Sequence, residues 1–314
     1  MRNGTFDLHC DVLSKLLTGE ATAFAGTGSE KLDVTYEKLI ASDAWLQTYA
    51  IYLPESYPST FSSILQCVDL FYRHIASRAE VAFVRSAAEL QAAVDSGRLG
   101  AMLSLEGADG LQGDFTALRI LYYLGVRSLG LTWNYANWAA DGVMEPRGGG
   151  LTRQGRKLVQ ACNGLGILLD VSHLSESGFW DVADLTDAPV IASHSNAKSA
   201  CDHPRNLSDD QIRAIIAMGG LIGITFVPWF VSNKETVTID DLLPHIDRIL
   251  SLGGEKTLAF GSDFDGIDRH MTGLADPTGI SPLRNELEHR YGDTLAMACL
   301  RDNALRFFLK QLPK

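Results

Sequence analysis

Two apolar runs of strand length end on an imidazole: GILLDVSH closes on His173, and APVIASHS carries His194 one helix-sized interval later. Near the start, DLHCD sets His9 and Asp11 two residues apart, and SLEG ends a third apolar run on Glu106. GSDFDG adds Asp263 and Asp265 at the end of a fourth. Imidazoles and carboxylates without thiolates make a nitrogen and oxygen ligand set, suited to Zn²⁺, Mn²⁺ or Fe²⁺ rather than to Ca²⁺. One ion rarely needs so many ligands. Two ions sharing a carboxylate would use them all and leave room for a bridging hydroxide, the nucleophile of metal-assisted hydrolysis.

Each residue has a plainer reading when taken singly. A lone His-x-Asp is commonly structural, Glu106 can cap its own loop, and Asp263 and Asp265 can be turn residues bonding nearby backbone. Their coincidence at several strand ends is what favours a metal site. The other histidines stay with the plainer reading. His203 and His270 fall in loops and are expected to be solvated, whereas His74, His245 and His289 fall on helical patterns and are expected at the surface or in packing. Cys10 is expected in the core, and Cys201 has no evident base partner, which argues against a cysteine nucleophile.

Ligands so far apart in sequence meet only if the elements beneath them do. Eight strands are expected, at 5–11, 45–53, 99–107, 126–134, 165–173, 188–195, 220–228 and 257–266. Amphipathic helical patterns fill most intervals, several opening on a Ser or Thr that can cap, as in SESGFWDVADL and SDDQIRAIIAMGG. Most strand runs are continuously apolar, as in a parallel sheet covered on both faces. The expected fold is α/β, a (β/α)8 TIM barrel with insertions in its βα loops, formed by residues 1–314 as a single domain. An open doubly wound sheet is the alternative, although no GxGxxG follows the first strand. A period of two in strand 5–11 puts Asp7, His9 and Asp11 on one face. The segments 12–43 and 267–290 read as long βα loops and as the candidates for setting specificity.

Bulk properties narrow the partners. The 314 residues are 46% hydrophobic and 21% charged, with a net charge of -11. That acidity argues against nucleic acid, whose phosphates need Lys and Arg. The opening MRNGTFDLHCD shows no signal-peptide pattern, and no run of roughly 18 apolar residues suggests a membrane span. Five scattered cysteines without a CxxC pair suggest neither disulfides nor a thiolate zinc site. A cytoplasmic protein without membrane contact is the expectation, with a homodimer as the candidate assembly.

The motifs DLHCD, SLEGAD, LTRQGRKLVQACNGLGILLDVSH, APVIASHSNAKSACDHPRNLSDDQIRAI, GLIGITFVPWF, GSDFDGI and DNALRFF resemble those of the membrane (renal-type) dipeptidases, peptidase family M19 of the amidohydrolase superfamily. The resemblance runs nearly end to end. It implies a barrel holding two zinc ions, one on His9 and Asp11, the other on His173 and His194, with Glu106 bridging them. It further implies that Asp263 acts beside the bridging water and that Arg205, in HPRN, holds the substrate. Asp263 and the bridging Glu106 are then the catalytic residues, and the substrates are dipeptides, with a D-residue accepted at the C-terminal position by many members. Asp263 would relay the proton of the nucleophile to the leaving amine, and Arg205 would grip the free carboxylate through paired hydrogen bonds.

One position departs from the family. Where renal-type enzymes carry a substrate-binding His after the Thr of the fourth strand, LTWNYANWAADG has Trp133, followed by Asn134. An indole donates one N–H but carries neither charge nor transferable proton, so Trp133 or Asn134 is expected to supply a neutral donor there. Two rival functions keep the metals: hydrolysis of an N-acyl-D-amino acid or a lactone, and a metal-binding scaffold without chemistry.

Overall fold

Strand runs with no polar face, such as LGAMLSLE and LIGI, need cover on both sides, and parallel strands joined by helical crossovers supply it. The computed structural model describes residues 4–314, so the first three residues of the expected domain lie outside the described residues. Its strands are β1 (Phe6–Asp7), β2 (Leu46–Ile51), β3 (Val81–Phe83), β4 (Leu99–Glu106), β5 (Val126–Gly130), β6 (Leu168–Asp170), β7 (Ile191–Ala192), β8 (Leu221–Ile224) and β9 (Leu258–Phe260). Neighbours pair in parallel, and β1 bonds both β2 and β9. Because β2 also bonds β4 directly, the ring β1-β2-β4-β5-β6-β7-β8-β9 closes on itself. This is an eight-stranded (β/α)8 barrel, and the open doubly wound alternative is excluded by the β1–β9 pairing.

The sequence reading contains the eight ring strands but not β3. That short strand pairs the first half of β4, from Val81↔Leu99 to Phe83↔Ala101, while β5 takes the second half of the same edge. An irregular step between Leu103 and Ser104 marks the handover, so β3 stands outside the ring.

Two apolar layers hold the barrel. Helices clothe its outside, several opening on a side-chain cap; Ser208 and Gln211 form a reciprocal capping box at the helix Asp209–Ala217. Inside, Phe6, Leu8, Leu46, Met102, Leu168, Ile191, Leu221 and Ala259 cluster with Phe307 and Phe308 of the C-terminal helix Asn303–Gln311. The rings of Phe6 and Phe308 stack with centroids 5.1 Å apart and planes 8° from parallel. One end of the barrel is thus plugged by apolar side chains, leaving polar residues for the other. Among the described residues no helix is long and apolar enough to cross a membrane.

The two long loops contain more structure than expected. Helices Val12–Thr18 and Tyr36–Ala41 lie within 12–43, and helix Ile280–Tyr291 occupies much of the second segment.

Candidate metal centre

The polar residues leave the strands where the ladders stop. Glu106 ends β4, His9 and His194 follow β1 and β7 by two residues, and His173 and Asp263 follow β6 and β9 by three. Two buried carboxylates fix these exits. Asp7 Oδ1 accepts the amides of His9 (3.1 Å) and of Ser262 beyond β9 (2.9 Å). Asp170 Oδ1 does the same for Ser172 (3.0 Å) and for Ser193 beyond β7 (3.0 Å). Each carboxylate ties its own strand end to a neighbour's, satisfying amides that the sheet no longer pairs. The expected common face of Asp7, His9 and Asp11 therefore holds only for the last two, because the Asp7 carboxylate is taken up by backbone.

Close approach of the backbone depends on glycine at particular points. A Cβ at Gly266 would overlap the carboxylates of Asp11 and Asp263, and one at Gly223 or Gly261 would overlap the Ser193 carbonyl. His173, Asp263 and Asp265 adopt left-handed φ values of 68°, 67° and 69°. Non-glycine residues seldom do so, and such strain concentrates at functional sites.

The donors converge. His173 Nε2 lies 2.8 Å from His194 Nε2 and 2.9 Å from Glu106 Oε1. On the other side of Glu106, Oε2 is 3.3 Å from His9 Nε2, which is itself 3.3 Å from Asp11 Oδ2 and 3.9 Å from Asp263 Oδ1. Glu106 thus extends one oxygen toward each pair of groups. Ligand atoms of His9, Glu106 and His194 lie within 4.8 Å of one another, as do those of His9, Asp11 and Asp263. The outer nitrogens of two histidines are engaged: His173 Nδ1 meets Asn134 Oδ1 at 2.8 Å, and His194 Nδ1 meets Ser193 Oγ at 2.7 Å. Donation at Nδ1 leaves each Nε2 as a lone pair facing the cluster, the tautomer a metal ligand requires. His9 Nε2 and Asp11 Oδ1 are buried without a hydrogen-bond partner. Buried lone pairs turned on one another are costly unless a cation lies between them, so the residues fit a divalent metal.

Charge in the protein alone follows the same division. Burial holds His173 down at about 4, assisted by Arg205, and holds His194 well below the usual imidazole range, assisted by His9. Burial alone would lower His9 too, but Glu106 and Asp11 raise it well above that range. Glu106, which burial would raise, is kept well below the carboxylate range by His9 and His173. Burial pushes Asp263 up to about 8, with Asp11 and Glu106 adding to the rise and His9 and Arg205 opposing it.

A cleft of about 260 Å³ opens above these groups, lined by Asp11, Ser14, Tyr52, Glu106, Trp133, Asn134, His173, Val227, Trp229, Phe230, Asp263, Asp265, Gly266 and Ile267. From the two long loops only Ser14 and Ile267 reach it, so those segments are not its main walls. Trp133 lies beside His173, with ring centroids 6.1 Å apart. Asn134 lines the cleft; its carboxamide oxygen accepts from His173 and orients that ring, which leaves its Nδ2 as the neutral donor group expected at this position. Arg205 sits deeper, 4% exposed, bordering an adjoining polar cavity of about 360 Å³ that it shares with His173. Its Nη2 donates to the His194 carbonyl at 3.2 Å, while its Nε is buried without an acceptor. Burial lowers its pKa to about 10.

Other expectations change. Asp265 turns away from the cluster to accept the amides of Asp33 (2.7 Å) and Val34 (2.9 Å) and to pair with Lys15 (3.2 Å). His270 is half-buried against Asp33 at 2.8 Å, and His203 lies 4.5 Å from the Phe230 ring, so neither is simply solvated. All five cysteines are buried thiols. Tyr52, Trp229 and Phe230 escaped the sequence reading, although Tyr52 directly follows β2 and its mouth-side position follows from the barrel itself.

Comparison with known proteins places this geometry. The chain is 37% identical over 222 residues to an uncharacterized protein in the pqqA 5' region of Klebsiella pneumoniae, covering 68% of this chain and 82% of that protein. It is 29% identical over 288 residues to human dipeptidase 3, covering 90% of this chain but 58% of that longer protein. Among solved structures, a metallopeptidase described as dipeptidase AC of family M19 superposes over 100% of both chains, with a TM-score of 0.91 at 29% identity. A Rhodobacter sphaeroides metallopeptidase, solved with a phosphinate mimic of the dipeptide L-Ala-D-Ala, covers 98% of this chain and 99% of its own, with a TM-score of 0.90 at 28% identity. The model of the membrane dipeptidase family matches residues 2–312, and the chain belongs to that family of metallo-dipeptidases, peptidase family M19.

Proposed function

We propose that this protein is a zinc-dependent dipeptidase acting on dipeptides with a D-residue at the C-terminal position. The observation that carries the proposal is the convergence of His9, Asp11, Glu106, His173 and His194, with buried lone pairs left facing one another. His9 with Asp11 and His173 with His194 would each hold one ion, and Glu106 would touch both. When bound, such a pair supplies a Lewis acid for the peptide carbonyl and water acidic enough to ionise near neutral pH.

The chain's own residues supply the rest. Asp263 Oδ1, 3.9 Å from His9 Nε2, is placed to take a proton at the centre and return it to the leaving amine. Arg205 is a buried cation with an unsatisfied Nε, and a substrate carboxylate drawn to it would make the cleft select dipeptides over internal peptide bonds. The L-Ala-D-Ala mimic bound by the Rhodobacter relative supports the choice of C-terminal chirality. Asn134 keeps His173 in its ligand tautomer, and Trp133 walls the cleft against water.

The test is hydrolysis of matched L-L and L-D dipeptides by metal-stripped protein before and after addition of Zn²⁺. Zinc-dependent turnover favouring the L-D series is the expected result. Turnover of N-acyl-D-amino acids or lactones with no dipeptide cleaved would overturn it.

A further inference from the structure

The cluster borders a third, smaller recess of about 120 Å³ at the ends of β2 and β4. Tyr52, Glu106 and Trp133 line both this recess and the larger cleft. The rings of Tyr52 and Trp133 lie 5.3 Å apart between centroids, and Tyr135 adds a third ring 6.3 Å from Trp133. Packed rings of this size make a stiff wall, because an aromatic side chain has only two torsions to adjust. Beyond the wall the lining carries the carboxylates of Glu55 and Asp109 and no lysine or arginine.

Barrel order indicates which end of a substrate meets the wall. In the eight-strand ring, β2 stands four places from β7, and Tyr52 follows β2 whereas His194 and the turn to Arg205 follow β7. The inference rests on the dipeptidase reading, in which Arg205 draws the substrate carboxylate. The N-terminal residue is then left to the Tyr52 side. We propose that Tyr52 and Trp133 together determine specificity for the N-terminal residue, forming a partition that admits small side chains and closes off the acid-lined recess behind it.

The experiment compares kcat/KM of the zinc-loaded enzyme for three dipeptides ending in D-Ala and beginning with Ala, Arg or citrulline, the neutral near-isostere of Arg. Wild type is expected to favour Ala. Trp133→Ala is expected to raise the Arg-to-Ala ratio by about tenfold or more, the scale on which a pocket discriminates by size, and citrulline by less. Tyr52→Leu tests the same wall from its other ring should the first variant be insoluble. Wild-type enzyme that cleaves the Arg dipeptide as well as the Ala dipeptide overturns the partition. So do variants that still cleave the Ala dipeptide with unchanged ratios. Equal gains for Arg and citrulline overturn the part assigned to the acidic lining. Failure of wild type to cleave any dipeptide, with zinc bound, instead overturns the reading on which the partition rests.

Discussion

His194 is held on several sides: its Nε2 faces the cluster, its Nδ1 meets Ser193, its amide donates to Ser172 Oγ, and its carbonyl accepts from Arg205. His194→Ala is therefore expected to lose bound metal and activity together, read by elemental analysis beside the dipeptide assay; full activity would refute the ligand assignment. Asp263→Asn separates binding from chemistry. It should retain metal while kcat falls by about 10²–10⁴-fold, the usual range for a lost general acid or base. Arg205→Lys keeps the charge but loses the planar fork, so KM for dipeptides should rise roughly tenfold to hundredfold, matching ~1.5–3 kcal/mol for a hydrogen bond to a charged group. An unchanged KM would remove Arg205 from substrate binding. At this scale His9, Asp11, Glu106, His173, His194 and Asp263 were legible because donors of one chemistry recur where apolar runs stop. Asp7 and Asp170 were not, because residue type alone does not tell a ligand from a carboxylate holding two amides.

Among the elements, the ring strands were legible from continuous apolar runs bounded by helical patterns. Strand β3 was missed because three residues within EVAFVRS carry no periodicity of their own, and their pairing depends on where β5 begins along β4. The place of the helix Asn303–Gln311 under the barrel follows only from the stacking of Phe308 on Phe6. Phe308→Ala should cost about 3–5 kcal/mol in denaturant unfolding, as truncation of a buried aromatic does. A loss below ~1 kcal/mol would mean the plug is not a stabilising contact. The helix Ile239–Ser251 is tied differently, through buried His245, whose Nδ1 accepts the Ala197 amide at 3.1 Å and whose Nε2 lies 2.9 Å from the Val231 carbonyl. Burial lowers the His245 pKa below its ordinary 6.5. The unfolded chain then takes up a proton first, so this contribution is complete above about pH 6.5 and is lost as pH falls from there toward the folded value. Melting temperatures at pH 7.5 and 5.5 should differ more for wild type than for His245→Gln; equal differences would rule the contribution out.

For the whole molecule, the metal centre and the fold are expected to be linked. Ions bound by the native cluster and not by the unfolded chain stabilise the former, by ~4 kcal/mol at a concentration a thousandfold above Kd. Calorimetry of chelated protein should show a lower melting temperature that Zn²⁺ restores, and a melt indifferent to zinc would count against the site. Closure of the ring by β1 between β2 and β9 has a consequence for how the protein is made. His9 follows the first strand of the ring and Asp263 follows the last, yet they lie 3.9 Å apart. A nascent chain halted before Leu258 lacks β9 and the closing helix, so it presents an open sheet with its interior uncovered. The metal site is thus complete only once β9 has joined the ring, so metal loading belongs after closure.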